Sequence, residues 1–475
     1  MIETSLVRST AFVLAGGGTK GSFEVGALQY LVGTERIVPD IITATSAGAV
    51  AASVLAQART FAEFAQRVQE VEDDILAMTR TEQIFGEQAW LRALEGTALG
   101  SEILLALTEG TRPPRPTLET AGIDGAVMKV PNMTPPVPRS PQRAAKKARR
   151  RRRRKVQRMV AGAAFRLPRA RRKFRTSGSA VLNLHPLAHA IRHGGQSGIH
   201  AVDPELVARP GLELRLAVTA LRAGVLRYVT QDGTIVEEDA VTPAPGSASG
   251  PVDFFEGVIA SASVPLVFPP RFLADDDYVD GGVLQVVPVR AAVQLGATRI
   301  IAVVAIPLKI DRDERSYTDD NAANVGLRAL GAIAMADRQR ENLAVALPTG
   351  ATLTTIDPVI DVVGYFEVQP GLLRINKDYG WLRAADVMAD GDATVLAEIS
   401  ADTHRLTTAR LQAWHLEENI WEASRSGDHA DAGTVSLLRE LKRQVHEIVD
   451  RRKQLGFPVP DDCEAWWTGY EVHGH

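Results

Sequence analysis

The stretch "AFVLAGGGTKGSFEVGALQYL", from Ala11 to Leu31, predicts a strand, a glycine loop and a helix in succession. Three adjacent glycines indicate a backbone that approaches another group closely or adopts positive φ. The apolar spacing after the loop is close to helical, and the free N–H groups of a helix N-terminus attract anions. We therefore expect the loop to hold a negative group, either a bound phosphate or an oxyanion that exists only during a reaction.

Two nucleotide-binding motifs compete to explain this loop. A P-loop is excluded because Lys20 is followed by Gly21, whereas that motif requires Ser or Thr at this position. Gly16, Gly18 and Gly21 do satisfy the G-x-G-x-x-G pattern of dinucleotide-binding domains. Asp40 has the spacing of the acidic residue expected in such a fold, but it precedes the strand "IITA" instead of ending it. A dinucleotide-binding oxidoreductase stays open as an alternative.

A second motif is "TATSAGAV", from Thr43 to Val50. A strand with small residues at its end leads to Ser46, which has Ala44 and Gly48 two positions away on either side and an alanine-rich helix after it. This arrangement resembles a nucleophile elbow, in which small residues let the helix and the strand approach at a sharp turn. A helix N-cap is the simpler interpretation of the same serine.

A third motif lies in "YVDGGVLQVVPV", from Tyr278 to Val289. Asp280 ends a short predicted strand and precedes Gly281 and Gly282. An ordinary Asp-Gly turn accounts for this pattern without any chemistry. If Ser46 is a nucleophile, the carboxylate has a second use, since it can accept the serine proton without a histidine.

The order and context of the three motifs resemble those of the patatin-like phospholipase family, over roughly residues 8–310. The resemblance implies an α/β fold with a mainly parallel central sheet flanked by helices. It implies Ser46 as the nucleophile, Asp280 as its proton acceptor, and an oxyanion hole formed by the loop residues Gly16, Gly17, Gly18 and Gly21. Supporting positions are Lys20, Ala44, Gly48, Gly281 and Gly282, with Ala44 in place of the family's usual glycine. The chemistry needs no metal and no cofactor.

The function expected from this resemblance is lipid acyl hydrolysis, of the phospholipase, lysophospholipase or lipase type, with a lipid ester as substrate. A Ser-Asp-His triad with His404 or His415 is an alternative within the hydrolases. A catalytically silent member that binds membranes is an alternative from another class. His185, His189 and His193 follow helical spacing, and we interpret them as one packed or solvated helix face and not as a metal site.

Alternating strand and helix patterns support an α/β organisation over the rest of the chain. Strands are predicted at residues 11–15, 41–44, 212–219, 225–230 and 299–306. We assign residues 1–400 to the acyl hydrolase domain and residues 401–475 to a helical C-terminal extension, where apolar spacing over 435–455 predicts a long helix. A Pro-rich and Arg-rich insertion over residues 111–180 interrupts the domain.

The basic part of this insertion stands out from an otherwise acidic chain. Arg143–Arg175 contains 17 Lys and Arg and no Asp or Glu, although the whole chain has a net charge of −3. A solvated, disordered segment is one interpretation. An anionic membrane surface is the partner that such a block favours, because each basic residue near it contributes about 1 kcal/mol. Nucleic acid is disfavoured because stacking residues are not interleaved with the charges.

Composition, the cysteine count and the first ten residues indicate where in the cell the protein is expected. Hydrophobic residues make up 45% and charged residues 23%, as in globular proteins. Cys463 is the single cysteine, which suits a reducing compartment, and "MIETSLVRST" lacks the features of a signal peptide. We therefore expect a cytoplasmic protein with peripheral association at a membrane.

Overall fold

The computed structural model describes residues 9–92, 180–195, 199–247, 250–310, 317–318, 325–427 and 432–460. Its strands are β1 Thr10–Leu14, β2 Ile41–Ala44, β3 Gly86–Glu87, β4 Leu182–Asn183, β5 Glu213–Ala220, β6 Val225–Thr230, β7 Ile235–Val236, β8 Arg271–Leu273, β9 Asp276–Asp280, β10 Arg299–Val303 and β11 Thr352–Ile356.

The α-helices lie between and after these strands. They are α1 Ser22–Leu28, α2 Ala47–Leu55, α3 Phe61–Leu76, α4 Ala89–Arg92, α5 His185–His193, α6 Pro204–Val207, α7 Phe254–Ser261, α8 Val289–Gln294, α9 Ala334–Leu343, α10 Pro370–Met388, α11 Ala393–Arg425 and α12 Ala432–Gln454. A 3-10 turn, Gly18–Gly21, precedes α1, and a π-helical segment, Leu327–Ile333, leads into α9.

The central sheet is parallel through one part and antiparallel in the other. Its strand order is β11-β10-β1-β2-β5-β6-β7, and the four pairings from β11 to β5 are parallel. β6, β7 and the hairpin of β8 and β9 are antiparallel to their neighbours. The predicted α/β fold with a mainly parallel sheet is confirmed, and the antiparallel part was not predicted.

Most strand bounds agree closely with the pattern of apolar residues. The strands predicted at 41–44 and 225–230 have these same bounds in the structure, and those predicted at 11–15 and 212–219 are displaced by one residue. The strand predicted over 299–306 ends at Val303, yet the next three residues stay buried. Burial alone therefore does not reveal where the chain leaves the hydrogen-bonded ladder.

Helices cover both faces of the parallel part of the sheet. Phe12 and Leu14 of β1 belong to the larger core cluster, together with apolar residues of α1, α2, α3, α7 and α10. Ala11 and Val13, which point to the opposite face, pack with residues of α8 and α9. Burial on both faces explains why β1 is apolar at nearly every position instead of alternating.

The C-terminal helices form a layer outside α10, which itself packs on α1. The helix predicted over 435–455 lies within α12, apart from its last residue, and the buried residues Leu438, Leu441 and Val445 pack against α11. Arg452 of α12 is fully buried and donates to Asp386 of α10 at 2.8 Å. The predicted helical C-terminal region is therefore confirmed, and the boundary at residue 400 stays a prediction.

Several predicted features lie outside the described residues. These are all but the last residue of the insertion over 111–180, the basic block Arg143–Arg175 within it, and Cys463. Their predicted roles stay predictions. Among the helices that the structure does describe, none combines the length and the apolar character needed to cross a membrane.

Candidate active site

Two strands that end opposite each other bring the predicted nucleophile and base together. β2 runs parallel to β5 and ends with Ala44 opposite Leu216. β9 runs antiparallel along the same edge of β5 and ends with Asp280 opposite Val218. The carboxyl ends of the two strands therefore face each other across a single residue of β5, and Ser46 follows β2 into this gap.

Ser46 has the strained backbone of a nucleophile elbow. Its φ of 56° and ψ of −123° lie in a region that non-glycine residues rarely adopt, at a cost of about 1–3 kcal/mol. Its amide donates to Ser261 Oγ at 3.1 Å, and α2 begins at the next residue. A Cβ at Gly48 would lie 2.7 Å from the Ala15 carbonyl oxygen. The structure therefore explains why small residues surround the serine at this turn.

Asp280 is buried at the end of β9, with one carboxylate oxygen held by its own turn. Oδ1 accepts from the Gly282 amide at 2.7 Å, and the Asp280 amide donates to the Ser263 carbonyl at 3.0 Å. Burial raises the pKa of Asp280 to about 6, although the Ser46 hydroxyl and the Gly282 amide lower it in part. Oδ2 accepts no hydrogen bond from the described residues. Gly281 lies directly against the backbone of β5.

The glycine loop lies beside the serine. A Cβ at Gly16 would lie 2.9 Å from the Ser46 Cβ, so a side chain there would displace the nucleophile. Gly18 has a φ of +58°, and a Cβ there would clash with the Tyr365 carbonyl oxygen. The amides of Gly17 and Gly18 donate no hydrogen bond within the described parts of the chain. They are therefore free to bind an anion.

Lys20 is buried and forms an ion pair with the partly exposed Asp361. Its side chain is 2% exposed, Nζ pairs with the Asp361 carboxylate, and the ammonium lies 4.8 Å from the Tyr365 ring centroid. Gly21 ends the 3-10 turn, where a Cβ would lie 3.5 Å from Ala47 Cβ. The ion pair occupies the Lys20 ammonium, and the supporting role of this lysine stays a prediction.

Two buried side chains near the loop were not predicted. Ser261 Oγ bridges the Ser46 amide and the Ala217 carbonyl, to which it donates at 2.8 Å. Glu24 of α1 is 1% exposed, and burial raises the pKa of its carboxyl well above the ordinary value. A serine in an apolar helix and a glutamate in a first turn are common, so neither carries a sequence signal.

Helix α9 packs over the turn that follows Asp280. Met335 Cε lies 3.5 Å from the position that a Cβ would take at Gly282, and Arg338 donates to the Val283 carbonyl. Asn342 Oδ1 accepts from the amides of Val286 and Val287 at 2.9 and 3.2 Å. One face of this helix therefore contacts the chain from the Asp280 turn to the residues just before α8.

The histidines of the predicted triad do not contact Asp280. His404 and His415 lie on α11, where His404 packs near Tyr379 and His415 near Trp414. No described histidine forms a hydrogen bond or ion pair with Asp280, and burial lowers the pKa of His404 to about 4. This geometry favours the dyad over the triad.

The dinucleotide-binding and metal-binding interpretations gain no support from the geometry. Asp40 lies at the amino end of β1, away from the glycine loop, and its carboxylate accepts from the Thr10 amide at 2.9 Å. It is therefore not placed to bind a ribose at the loop. The rings of His189 and His193 on α5 meet edge to face, with centroids 5.0 Å apart. No cluster of potential metal ligands occurs in the described part of the chain.

A sequence model of the family described as patatin-like phospholipase matches residues 12–293, more than half of the chain. The chain belongs to the patatin-like phospholipase family. The match begins in β1, ends in α8, and includes the glycine loop, the elbow and the Asp280 turn. Membership of the patatin-like phospholipases makes this a domain of the lipid acyl hydrolase type, while α9 to α12 lie beyond the matched residues.

Further comparisons add little to the patatin-like assignment. No curated protein matches the chain. The crystal structure of VipD from Legionella pneumophila is a distant neighbour, with 14% identity and a TM-score of 0.28, covering 97% of this chain and 82% of that chain.

Proposed function

We propose that this protein hydrolyses fatty-acyl esters of lipids through a Ser46–Asp280 dyad. The main support for the proposal is that the carboxyl ends of β2 and β9 face each other across β5. Ser46, with its strained backbone, therefore lies beside the buried carboxylate of Asp280. Asp280 lacks a described histidine or cationic partner, so its basicity comes from desolvation. A raised pKa suits a general base that must work without histidine.

The proposed reaction is a two-step acyl transfer. Asp280 accepts the Ser46 proton as Oγ attacks the ester carbonyl, and the leaving alcohol then takes that proton. Water, activated by the same carboxylate, releases the fatty acid from the acyl-serine. Asp280 Oδ2 is the oxygen suited to this task, since Oδ1 is already occupied by the Gly282 amide.

The oxyanion of each tetrahedral intermediate is proposed to bind at the glycine loop. Gly17 and Gly18 supply two amides with no described acceptor, whereas the Ser46 amide already donates to Ser261. These two amides are the contribution of the glycine loop to the proposed stabilisation. One such donor is worth about 10²–10³ in turnover.

Covalent labelling with a fluorophosphonate probe, followed by peptide mass mapping, tests this proposal. We expect an adduct on Ser46 of the wild type, none in Ser46→Ala, and labelling slowed at least about a hundredfold in Asp280→Asn. Ser53→Ala is the matched control, because Ser53 is buried on α2 and bonds only to the Val50 carbonyl. Absence of an adduct on Ser46, in detergent and with anionic vesicles present, would favour a catalytically silent protein that binds membranes.

The place of action is proposed to be an anionic membrane surface, with Arg143–Arg175 as the contact. This follows from charge alone, with 17 basic residues and no acidic residue in that range. Sedimentation with phosphatidylserine vesicles should fall steeply between low and high salt. Binding that is unaffected by salt would remove the electrostatic basis of the proposal.

A further inference from the structure

We propose that Asn376 of α10 and Asp361, which precedes α10, are positioning residues. They hold the backbone of the glycine loop, Gly16–Gly21, in the conformation that directs its free amides toward the proposed oxyanion. The proposal rests on the hydrolase function proposed above. Both residues lie beyond the part of the chain matched by the family model, which ends at residue 293. The residues matched by the family model therefore do not include these two contacts with the glycine loop.

Asn376 bonds directly to the end of the loop. Its Nδ2 donates to the Lys20 carbonyl at 3.1 Å and to Ser22 Oγ at 2.8 Å. Ser22 Oγ in turn donates to the Thr19 carbonyl at 3.1 Å. Asn376 is 3% exposed, so water cannot easily replace these bonds. One amide thus fixes the backbone where the loop passes into α1.

The segment between β11 and α10 holds the other side of the loop. Asp361 pairs with the buried Lys20 ammonium, the Tyr365 carbonyl accepts from the Thr19 amide at 3.1 Å, and Thr19 Oγ1 donates to the Gly364 carbonyl. These bonds hold Thr19 and Lys20, which follow the free amides of Gly17 and Gly18. The direction of the two glycine amides therefore depends on residues far away in the sequence.

Close helix packing keeps this arrangement in register. A Cβ at Gly26 of α1 would clash with the Lys377 carbonyl, and one at Gly380 of α10 would clash with the Phe23 carbonyl. The two backbones touch at both points, so α10 cannot slide along α1 without steric conflict. Asn376, one residue before the first contact, is thereby carried to a fixed point opposite the loop.

The test combines amide exchange with kinetics on a soluble p-nitrophenyl ester. In Asn376→Ala we expect hydrogen–deuterium exchange of residues 15–22 to quicken at least tenfold. We expect kcat to fall about ten- to a hundredfold with KM within twofold, because displaced donors weaken transition-state binding more than substrate binding. Asp361→Asn should show the same pattern, since it keeps the shape of the side chain and removes only its charge.

Thr403→Val is the matched control for a lost buried hydrogen bond. Thr403 Oγ1 accepts from Arg452 at 2.6 Å in the C-terminal helical layer and makes no described contact with the loop. This variant should leave loop exchange and kcat at wild-type values. Unchanged exchange over residues 15–22 in Asn376→Ala, or an equal change in Thr403→Val, would overturn the proposal.

The two proposals fail in different ways. If Ser46→Ala hydrolyses the ester as fast as the wild type, the proposed dyad is wrong. Hydrogen–deuterium exchange over residues 15–22 then still shows whether Asn376 and Asp361 hold the glycine loop. If Ser46 is required but Asn376→Ala exchanges and turns over like the wild type, the dyad stands and the positioning role is wrong.

Discussion

The buried carboxylate of Asp280 and those of α10, which pair with arginines of the C-terminal helical layer, have different surroundings. Asp280 has a hydroxyl and an amide beside it, and neither carries a charge. Asp386, whose side chain is as deeply buried, bonds to the Arg452 guanidinium, which offsets part of the pKa increase that burial causes. Asp378 and Arg410 repeat this pairing at 3.0 Å. The unpaired carboxylate suits proton transfer, whereas the paired ones hold helices together.

Removing a cation from the helical layer should have the largest effect on stability. Arg452→Met removes the hydrogen-bonded cation of the buried Asp386, leaving Arg383 at 3.9 Å, and also removes bonds to Thr403 and to the Ile399 carbonyl. We expect a loss of about 3–5 kcal/mol in the free energy of unfolding, measured by urea denaturation. The double variant with Asp386→Leu should recover most of this loss. A loss below about 1 kcal/mol in the single variant would contradict the pairing argument.

Replacing the Asp280 carboxylate with a neutral side chain should increase the free energy of unfolding, in contrast to the loss expected for Arg452→Met. Its pKa is about 6 in the folded state and near 3.8 when unfolded, so the folded state binds the proton more tightly and loses stability as pH rises from about 4 to 6. Asp280→Asn should therefore stabilise the protein by up to about 3 kcal/mol at pH 8 and by little at pH 4. Melting temperatures at both pH values test this.

The exposed Asp390 provides the control for that experiment. Asp390→Asn should leave the melting temperature unchanged at both pH values. If Asp280→Asn instead destabilises the protein at pH 8, its carboxylate contributes more through hydrogen bonds than it costs through burial.

The same carboxylate should set the acid limb of the pH–rate profile. Asp280 accepts a proton only when ionised, so kcat/KM on a soluble ester should fall about tenfold per pH unit below pH 6 and level off above it. Rates measured from pH 4.5 to 8.5 would show the limb. A flat profile down to pH 5 would mean that no group with a pKa near 6 in the free enzyme, Asp280 included, acts as the base.

The histidine variants should have the smallest effect. His404→Gln and His415→Gln should keep kcat/KM within about twofold, because neither side chain contacts Asp280. Thermal melts would separate any loss of folding from a loss of catalysis. A decrease in kcat/KM of a hundredfold or more in either variant, at unchanged melting temperature, would support the Ser-Asp-His triad instead of the dyad.

Local motifs made much of the fold and the site predictable from sequence. The glycine loop, the elbow and the Asp280 turn each lie within about a dozen residues, and each follows a short strand, apolar in the first two cases. The antiparallel hairpin of β8 and β9 was not predicted, although it is what points Asp280 toward Ser46. Strand direction depends on long-range pairing with β5, which local pattern does not contain.

The residues that contact the glycine loop were even harder to predict from local sequence pattern. Asp361 and Asn376 lie 341 and 356 residues from their partner Lys20, in stretches with no motif of their own. An aspartate after a strand and an asparagine inside a helix are ordinary at those places. Only the packing of α10 on α1 gives them a common location with the glycine loop.

The separation of 341 residues between Lys20 and Asp361 also affects when the site forms during synthesis. β1, β2 and the loop are synthesised well before β11, but the ion pair and the Asn376 bonds require residues that are made only after β11. Contacts of such high sequence separation form late in folding. A nascent chain that contains Ser46 and Asp280 but not yet α10 therefore lacks the contacts that hold the glycine loop, and the proposed lipid cleavage awaits the synthesis of α10.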